Sequence, residues 1–508
     1  MSENGQFGSG PGCTTIDVTN DDQRYRALGA RDHRFDGVFF VAVSSTGIYC
    51  RPICPARLPV RKNCTFYDTA AEAERAGYRA CFRCRPELSP GSAPTDRKRV
   101  LADRAYQRIR AGALNDGNAV ELAQELGVSE RHLRRAVQER FGISPVELAQ
   151  TARLGLAKQL LHDTQLPLSQ ICHASGFGSV RRFNALFKAR MGRSPSELRK
   201  GLDVENPGAQ LTLRLDYRPP LAFSELLAFL RQRAIPGVEQ VDDVSYARLA
   251  RIDGHTGWLE VRADGRREAL RLSLSHTLVP CLMQVLSATR QLFDLDAHPE
   301  AMSKSLGADP LLGRAAKQNP GLRVPGAFDG FEVAVRALLG QQVTVKAATT
   351  LAGRLVERFG ETLPEDTRLG GPSTLSRLFP TAKALSDAGA DAIAKVGLPG
   401  RRAESIRALA GAVARGELRL TPGADPEAVE AALVALPGVG PWTAGYIAMR
   451  ALHDPDALPH GDLVLRQALG SKAAPVSNRA LEAHAEAWSP WRAYATLLLW
   501  QSSSPPPP

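Results

Sequence analysis

A run near the C-terminus, Leu436-Pro437-Gly438-Val439-Gly440-Pro441-Trp442-Thr443-Ala444, limits what this chain can fold into more than any other segment. Two glycines around one valine permit a tight turn, and the proline that follows suits the first position of a helix. A turn that opens a helix in this way points backbone N–H groups outward, where they can grip a phosphate without side chains. Some twenty residues on stands one acidic residue, Asp462, in Pro459-His460-Gly461-Asp462-Leu463. Its carboxylate can stabilise or attack an electron-poor sugar carbon. The plainer reading of the same residues is a helix-loop-helix with glycine caps, in which Asp462 is a helix N-cap.

A chain of 508 residues is long enough for several domains. Its charge is unevenly spread. Of 64 Lys+Arg and 53 Asp+Glu, residues 1–200 hold 31 and 20, a net of +11, which leaves 33 of each and no net charge in 201–508. A basic front predicts a polyanionic partner. No apolar run reaches the ~18 residues needed to span a bilayer, so no membrane partner is expected. The start, Met1-Ser2-Glu3-Asn4-Gly5, lacks the layout of a secretory signal. The expected compartment is cytoplasmic, where thiols stay reduced.

Eight cysteines in such a chain ask for a metal or a reactive thiol before a disulfide. Cys50 and Cys54 form C-x3-C, and Cys81 and Cys84 form C-x2-C. Two chelating pairs joined by a loop suit one tetrahedral zinc per chain. Four buried free thiols are the alternative. Cys13 and Cys64 fall outside the pattern.

The Gly-x-Ser-Pro end of Phe141-Gly142-Ile143-Ser144-Pro145 returns fifty residues later in Met191-Gly192-Arg193-Ser194-Pro195. Each copy follows a helix, a glycine-centred turn and a serine-capped second helix. The second helix of copy one carries Arg131, His132, Arg134, Arg135 and Gln138 on its polar positions. That of copy two carries Arg181, Arg182, Asn184 and Lys188. Arginine and asparagine pair bidentately with guanine and adenine edges, so two helix-turn-helix units reading DNA are expected, against a plain helical interaction domain. Ala174 marks a close helix approach. From Leu211 to Leu274 apolar residues alternate, which predicts strands around a helix at 221–233, and from Gly326 onward the periodicity is helical.

Three families are resembled in turn. Over about residues 20–88, Thr46-Gly47-Ile48-Tyr49-Cys50-Arg51-Pro52 and Gly77-Tyr78-Arg79-Ala80-Cys81-Phe82-Arg83-Cys84 resemble the zinc domain of the Ada alkylation-response proteins. That resemblance implies that Cys50 is both a zinc ligand and the irreversible acceptor of a methyl group from a DNA methylphosphotriester. The repeated helical unit resembles an AraC-type activator domain, with two helix-turn-helices in neighbouring major-groove segments. From Pro219 to Trp500 the chain resembles AlkA-type 3-methyladenine glycosylases of the helix-hairpin-helix superfamily. Its words include Gly321-Leu322-Arg323-Val324-Pro325-Gly326, Arg336-Ala337-Leu338-Leu339-Gly340-Gln341-Gln342-Val343 and Trp488-Ser489-Pro490-Trp491-Arg492.

This last resemblance implies that Asp462 is the catalytic carboxylate and that Gly438 and Gly440 form the phosphate grip. It also implies an aromatic base pocket of Phe229, Trp442, Tyr446 and Trp500, and a monovalent cation at the hairpin. Lyase members carry a lysine where Trp442 stands, so a monofunctional glycosylase is expected. One position departs from the pattern: the residue inserted into the helix gap is typically leucine, and Gln342 stands there. Nothing reads Pro-Cys-His-Arg, so no O6-methylguanine transfer is expected.

The expected architecture is multidomain, mostly α with α+β parts. It comprises a disordered tail at 1–20, a small α/β zinc domain at 21–88 and an all-α double helix-turn-helix at 96–200. An α+β domain at 209–320, an all-α hairpin domain at 321–500 and a disordered tail at 501–508 complete it, with turn-rich linkers at Leu88–Pro94 and Asn206–Gly208. The expected partners are alkylated double-stranded DNA, promoter sites and RNA polymerase, with the protein monomeric. Two rivals stand beside this reading. One is a zinc-dependent regulator with an inactive glycosylase half. The other is a repair enzyme with a non-regulatory DNA anchor.

Overall fold

The structure, a computed structural model, describes residues 21–31, 35–36, 38–86, 94–199, 210–365 and 368–503. The expected tail at 1–20 with Cys13, residues 88–93 of the first linker and the whole of the second lie outside them. The chain divides into two compact units, 1–100 and 101–508.

In the first unit a helix α1 (Asp21–Ala30) precedes the strands β1 (Phe40–Val43), β2 (Ile48–Cys50) and β3 (Cys64–Tyr67). A helix α2 (Ala70–Arg75) and a short strand β4 (Arg79–Ala80) follow, in the sheet order β3-β1-β2-β4. Side chains alternate across a strand, and both faces here are covered. Phe39 and Val41 pack with Ala27, Leu28 and Phe66, whereas Phe40 and Ala42 pack with Tyr49 and Ala73. β2 and β4 run parallel with Tyr49 opposite Ala80. That register sets Cys50 beside Cys81.

Seven helices follow, the first starting before residue 101: α3 (Pro94–Arg110), α4 (Ala119–Glu125), α5 (Glu130–Phe141), α6 (Pro145–Asp163), α7 (Leu168–Ala174), α8 (Val180–Met191) and α9 (Pro195–Arg199). The repeated Gly-x-Ser-Pro motif ends one helix and starts the next. Gly142 and Gly192 close α5 and α8 at φ of 76° and 72°, the left-handed region that glycine enters without strain. Ser144 then caps α6, with Glu147 returning the bond to complete a capping box.

A five-stranded antiparallel sheet follows, built from β5 (Gln210–Asp216), β6 (Glu239–Val241), β7 (Ser245–Ile252), β8 (His255–Ala263) and β9 (Ala269–Ser275) in the order β5-β9-β8-β7-β6. The helix α10 (Phe223–Arg231) lies after β5, as the periodicity predicts. The remaining helices are α11 (Leu282–Leu292), α12 (Pro299–Leu306), α13 (Gly313–Gln318), α14 (Gly330–Leu339), α15 (Val345–Phe359), α16 (Ala382–Ala388), α17 (Ala390–Ala394) and α18 (Gly400–Ala414). Last come α19 (Pro426–Val434), α20 (Pro441–Ile447), α21 (Leu463–Leu469), α22 (Asn478–Ala485) and α23 (Arg492–Ser503).

Packing ignores two of the expected seams. Leu154, Leu160, Phe183 and Phe187 of the second helix-turn-helix share one apolar cluster with Leu211, Leu213, Leu270 and Leu272 of the sheet. The first helix-turn-helix keeps a separate core around Ile109, Leu122, Leu133 and Val137. Met302, Leu306, Leu312 and Ala316 of α12 and α13 sit in the core of the hairpin domain, so packing does not break at residue 320. A further correction concerns the C-terminal tail expected from 501. The helix α23 runs on to Ser503, because its apolar face from Ala493 to Leu499 anchors it and no proline intervenes before 505. Among the described residues no helix is long and apolar enough to cross a membrane.

Candidate active site and metal centre

The hairpin forms where the glycines require it. Gly438 has φ of 76°, and a Cβ there would meet Ser405 Oγ at 2.3 Å. Gly440 has no such need, since its backbone is extended and a Cβ would meet nothing within 4 Å. Its missing side chain leaves open the approach to the turn that precedes α20. Pro441 is the first residue of that helix. Gln341 Nε2 donates to Gly438 O at 3.0 Å and lies 3.1 Å from Thr443 Oγ1, which ties the end of α14 to the hairpin. Beside it Gln342 is exposed in a left-handed conformation, φ of 57°, so its side chain is held out from the surface.

Asp462 is 6% exposed and caps α21 through Leu465 N at 3.0 Å from Oδ1. It does more than cap. Trp442 Nε1 donates to Oδ2 at 2.8 Å, and Trp500 Nε1 donates to Oδ1 at 3.2 Å. Three N–H donors from three separate helices therefore fix the plane of one carboxylate. Trp442 stacks on Tyr446 with 5.3 Å between centroids and 7° between planes, and Tyr446 lies 6.3 Å from Trp500. Trp442 and Tyr446 stand one helical turn apart on α20, as their i, i+4 spacing requires, and Trp500 comes from α23.

Phe229 joins this group through two cations that sequence reasoning missed. Arg233 and Arg450 lie 3.7 and 5.0 Å from its ring centroid, and Arg450 Nη1 donates to Tyr446 OH at 2.6 Å. Burial alone would raise the Tyr446 phenol, but Arg450 and Arg233 outweigh it and lower the value. The spacing Arg233 = Phe229 + 4 and Arg450 = Tyr446 + 4 was a signal for both, had the helices been assigned to one wall. Arg450 follows α20 on a π-helical turn, Ala448–Leu452, and it also donates to Gly326 O at 3.0 Å. Arg336 Nη1 donates to Arg233 O at 3.0 Å, within a buried group of Glu239, Arg248, Glu332 and Tyr246 that joins sheet to hairpin domain.

In the first unit the Sγ atoms of Cys50, Cys54, Cys81 and Cys84 all lie within 4.8 Å of one another, and Cys54 and Cys81 are 4.0 Å apart. A tetrahedron with ~2.3 Å zinc–sulfur bonds has edges of about 3.8 Å, so the four thiols fit that ion. Hydrogen bonds from Cys50 and then Cys84 draw the Cys54 thiol far down, and the bond to Cys54 drives Cys50 up. A bound dication takes the place of the protons these sulfurs share. Cys64, as expected, stands apart, buried against Val60 O. Arg51 was not anticipated. It is fully buried, pairs with Asp36 through Nε at 2.7 Å, and its backbone N–H donates to Cys84 Sγ at 3.4 Å. Cys50 alone of the four thiols is half-buried, and a cavity of about 870 Å³ opens onto it.

On α5, Arg131, Arg134 and Arg135 are exposed, Arg135 paired with Glu139 at 2.8 Å. Arg181, Arg182 and Asn184 are exposed on α8. Leu133, Val137, Phe183 and Phe187 bury the opposite faces.

A sheet domain followed by a helical domain with a glycine hairpin and an aspartate fixed by two tryptophans is the layout expected of a base-excision glycosylase of the helix-hairpin-helix class. Family models agree with that class and extend it. They match the metal binding domain of Ada at 23–87, a helix-turn-helix domain at 122–201, the AlkA N-terminal domain at 212–329 and the helix-hairpin-helix superfamily of base excision DNA repair proteins at 335–493. A Mycobacterium tuberculosis protein named as a probable bifunctional transcriptional activator/DNA repair enzyme AlkA is 40% identical over 95% of this chain and 96% of its own. The DNA-3-methyladenine glycosylase 2 of Escherichia coli is 35% identical over 56% of this chain and 95% of its own. The bifunctional transcriptional activator/DNA repair enzyme Ada of the same organism is 32% identical over 36% of this chain and 49% of its own. The chain belongs to the family of bifunctional AlkA-type transcriptional activators and DNA repair enzymes.

Proposed function

We propose that residues 210–503 excise alkylated bases of the 3-methyladenine type as a monofunctional glycosylase. The observation that carries this is the Asp462 carboxylate, buried and aimed by Trp442, Trp500 and Leu465 beside stacked aromatic rings. Rupture of the N-glycosidic bond builds positive charge at C1′. A fixed carboxylate stabilises that charge and orients the entering water. An alkylated purine is already cationic and leaves without a strong acid, so one carboxylate suffices. Its electron-poor ring stacks on the electron-rich faces of Trp442, Tyr446 and Trp500. Trp442 offers no amine, so water is the nucleophile and the strand stays intact at an abasic site. The hairpin at Gly438–Gly440 takes a phosphate of the damaged strand, and Gln342 fills the gap left by the flipped nucleotide. The test is release of free base from methylated duplex, with strand breaks appearing only after alkali. Breaks without alkali would reverse the monofunctional assignment.

In the first unit Cys50 is the methyl acceptor. A bound zinc supplies a thiolate at neutral pH. The Cys50 sulfur attacks the methyl carbon of a methylphosphotriester. The carbon–oxygen bond breaks, and a phosphodiester anion leaves. No step restores the thiol, so each chain reacts once. Thioether formation lowers the formal charge of the four-thiolate site from −2 to −1. One unit charge at ~8 Å and an effective dielectric of ~20 is worth roughly 2 kcal/mol before screening. DNA affinity rises by that order, and Arg131, Arg134, Arg181, Arg182 and Asn184 then hold a promoter. Intact mass after exposure to triester DNA tests this, with one methyl mapped to Cys50 expected.

A further inference from the structure

Phe82 is the most exposed large apolar side chain among the described residues, at 82%. It sits in the turn between the metal ligands Cys81 and Cys84, and both neighbours, Cys81 and Arg83, line the cavity that opens onto Cys50. The Arg79 guanidinium lies 5.7 Å from its ring centroid. The same cavity is lined by Ile48 and Leu58 together with Arg31, Arg57, Arg79 and Arg83. Arg31 is fixed there by bonds to Pro55 O at 3.3 Å and Ala56 O at 3.1 Å.

A metal turn needs no phenyl ring in water, and the fold does not use this one, since Phe82 belongs to none of the apolar clusters of the unit. The chemistry of the donor accounts for it. A methylphosphotriester has lost its charge and gained a methyl group, so cations cannot single it out from its neighbours. Flanking diesters remain anionic. A site that selects the triester therefore needs an apolar contact among its cations, and the lining of this cavity supplies both. We propose that Phe82 is the specificity-determining contact of the methyl-acceptor site. Its ring packs on the neutral triester itself, over the methyl ester and the adjoining sugar edge of a DNA duplex, while Arg57, Arg79 and Arg83 take the flanking phosphates. This rests on the assignment of Cys50 as acceptor.

The test uses the full zinc-loaded chain and a duplex bearing one methylphosphotriester, with methyl uptake followed by intact mass in single turnover. Phe82→Ala should raise the duplex concentration at half-maximal rate about tenfold, with the maximal rate, the zinc content and the salt slope near those of the parent chain. Phe82→Leu, which keeps apolar bulk, should recover part of the loss. Arg79→Ala should instead reduce the salt slope by about one. Methyl iodide, a donor without a sugar, should react equally with the parent chain and Phe82→Ala. Unchanged half-saturation in Phe82→Ala overturns the proposal, as does an equal loss toward methyl iodide, which would make the ring merely structural. Failure of the parent chain to take a methyl from the duplex overturns the acceptor assignment itself.

Discussion

Trp442 Nε1 lies 2.8 Å from Asp462 Oδ2, so the first turn after the hairpin directly holds the carboxylate beside the stacked aromatic rings. The other oxygen is bound by Trp500 and Leu465. Asp462→Asn therefore removes more than a charge. Either orientation of the amide sets an NH2 group against an N–H donor. Base excision should fall by about 10²–10³ or more, in line with loss of one preorganised electrostatic group. Binding to abasic-site DNA should persist. Single-turnover release of 3-methyladenine at the parental rate would remove Asp462 from the chemistry.

Trp442→Phe keeps a ring to stack on Tyr446 but deletes the donor. The carboxylate retains its bonds to Trp500 and Leu465, so the loss in excision rate should be about tenfold, well short of that for Asp462→Asn. A loss as large as that of Asp462→Asn would show that this one hydrogen bond governs the carboxylate.

Cys54→Ala should abolish zinc binding and the ordered tertiary signals of residues 21–86, because so small a unit depends on its metal. Excision should remain near normal, since Asp462 and its pocket lie in the other compact unit. Metal analysis and near-ultraviolet circular dichroism, read beside the excision rate, check both halves of this expectation.

Phe183 is fully buried and packs on Phe177 and Phe187 at 5.1 and 5.6 Å, in the cluster shared with the sheet. Phe183→Ala should cost about 3–5 kcal/mol. The loss should appear in the glycosylase as well, as a lower temperature at which excision is inactivated. Calorimetry would show the same transition moving. Unchanged heat tolerance of excision would mean that the activator and repair parts unfold independently.

His453 Nε2 is 2.9 Å from Asp294 Oδ1, with Asp296 and Asp454 also near. Burial alone would lower its value, but these three carboxylates raise it above 6.5. A histidine whose folded value is raised stabilises the fold fully below 6.5, and that contribution fades as pH rises through the folded value. The urea midpoint of the second unit should thus decline above pH 6.5, and His453→Gln should flatten the decline. An increase in that interval would reverse the assignment.

Local signals made much of this legible. Cysteine spacing marked the metal ligands because a chelating pair is close in sequence, and parallel pairing of Tyr49 with Ala80 then joined the two pairs. The Gly-x-Ser-Pro repeats encoded helix ends through torsion and capping chemistry, which act within four residues. The Arg51–Asp36 pair and the Arg233–Phe229–Arg450 stack were not legible, because approach between distant elements creates them. The joint core of α6 and β5 escaped for a related reason. Apolar periodicity shows that a face is buried and does not say what covers it.

That joint core bears on how such a gene can change. Residues 200–209 look like a seam where a promoter reader and a repair enzyme were spliced. A break there would part Leu154 and Leu160 of α6 from Leu211 and Leu213 of β5, with which they share one apolar cluster. Chains near the length of one side alone do occur, as the DNA-3-methyladenine glycosylase 2 of Escherichia coli matches 56% of this chain with 95% of its own, so a cut at the joint asks for new side chains over the uncovered apolar surface. A substitution on one side of the joint changes the cavity that the other side must fill. In this fused chain the two parts form a matched pair, held together by side-chain fit as well as by the peptide bond between them.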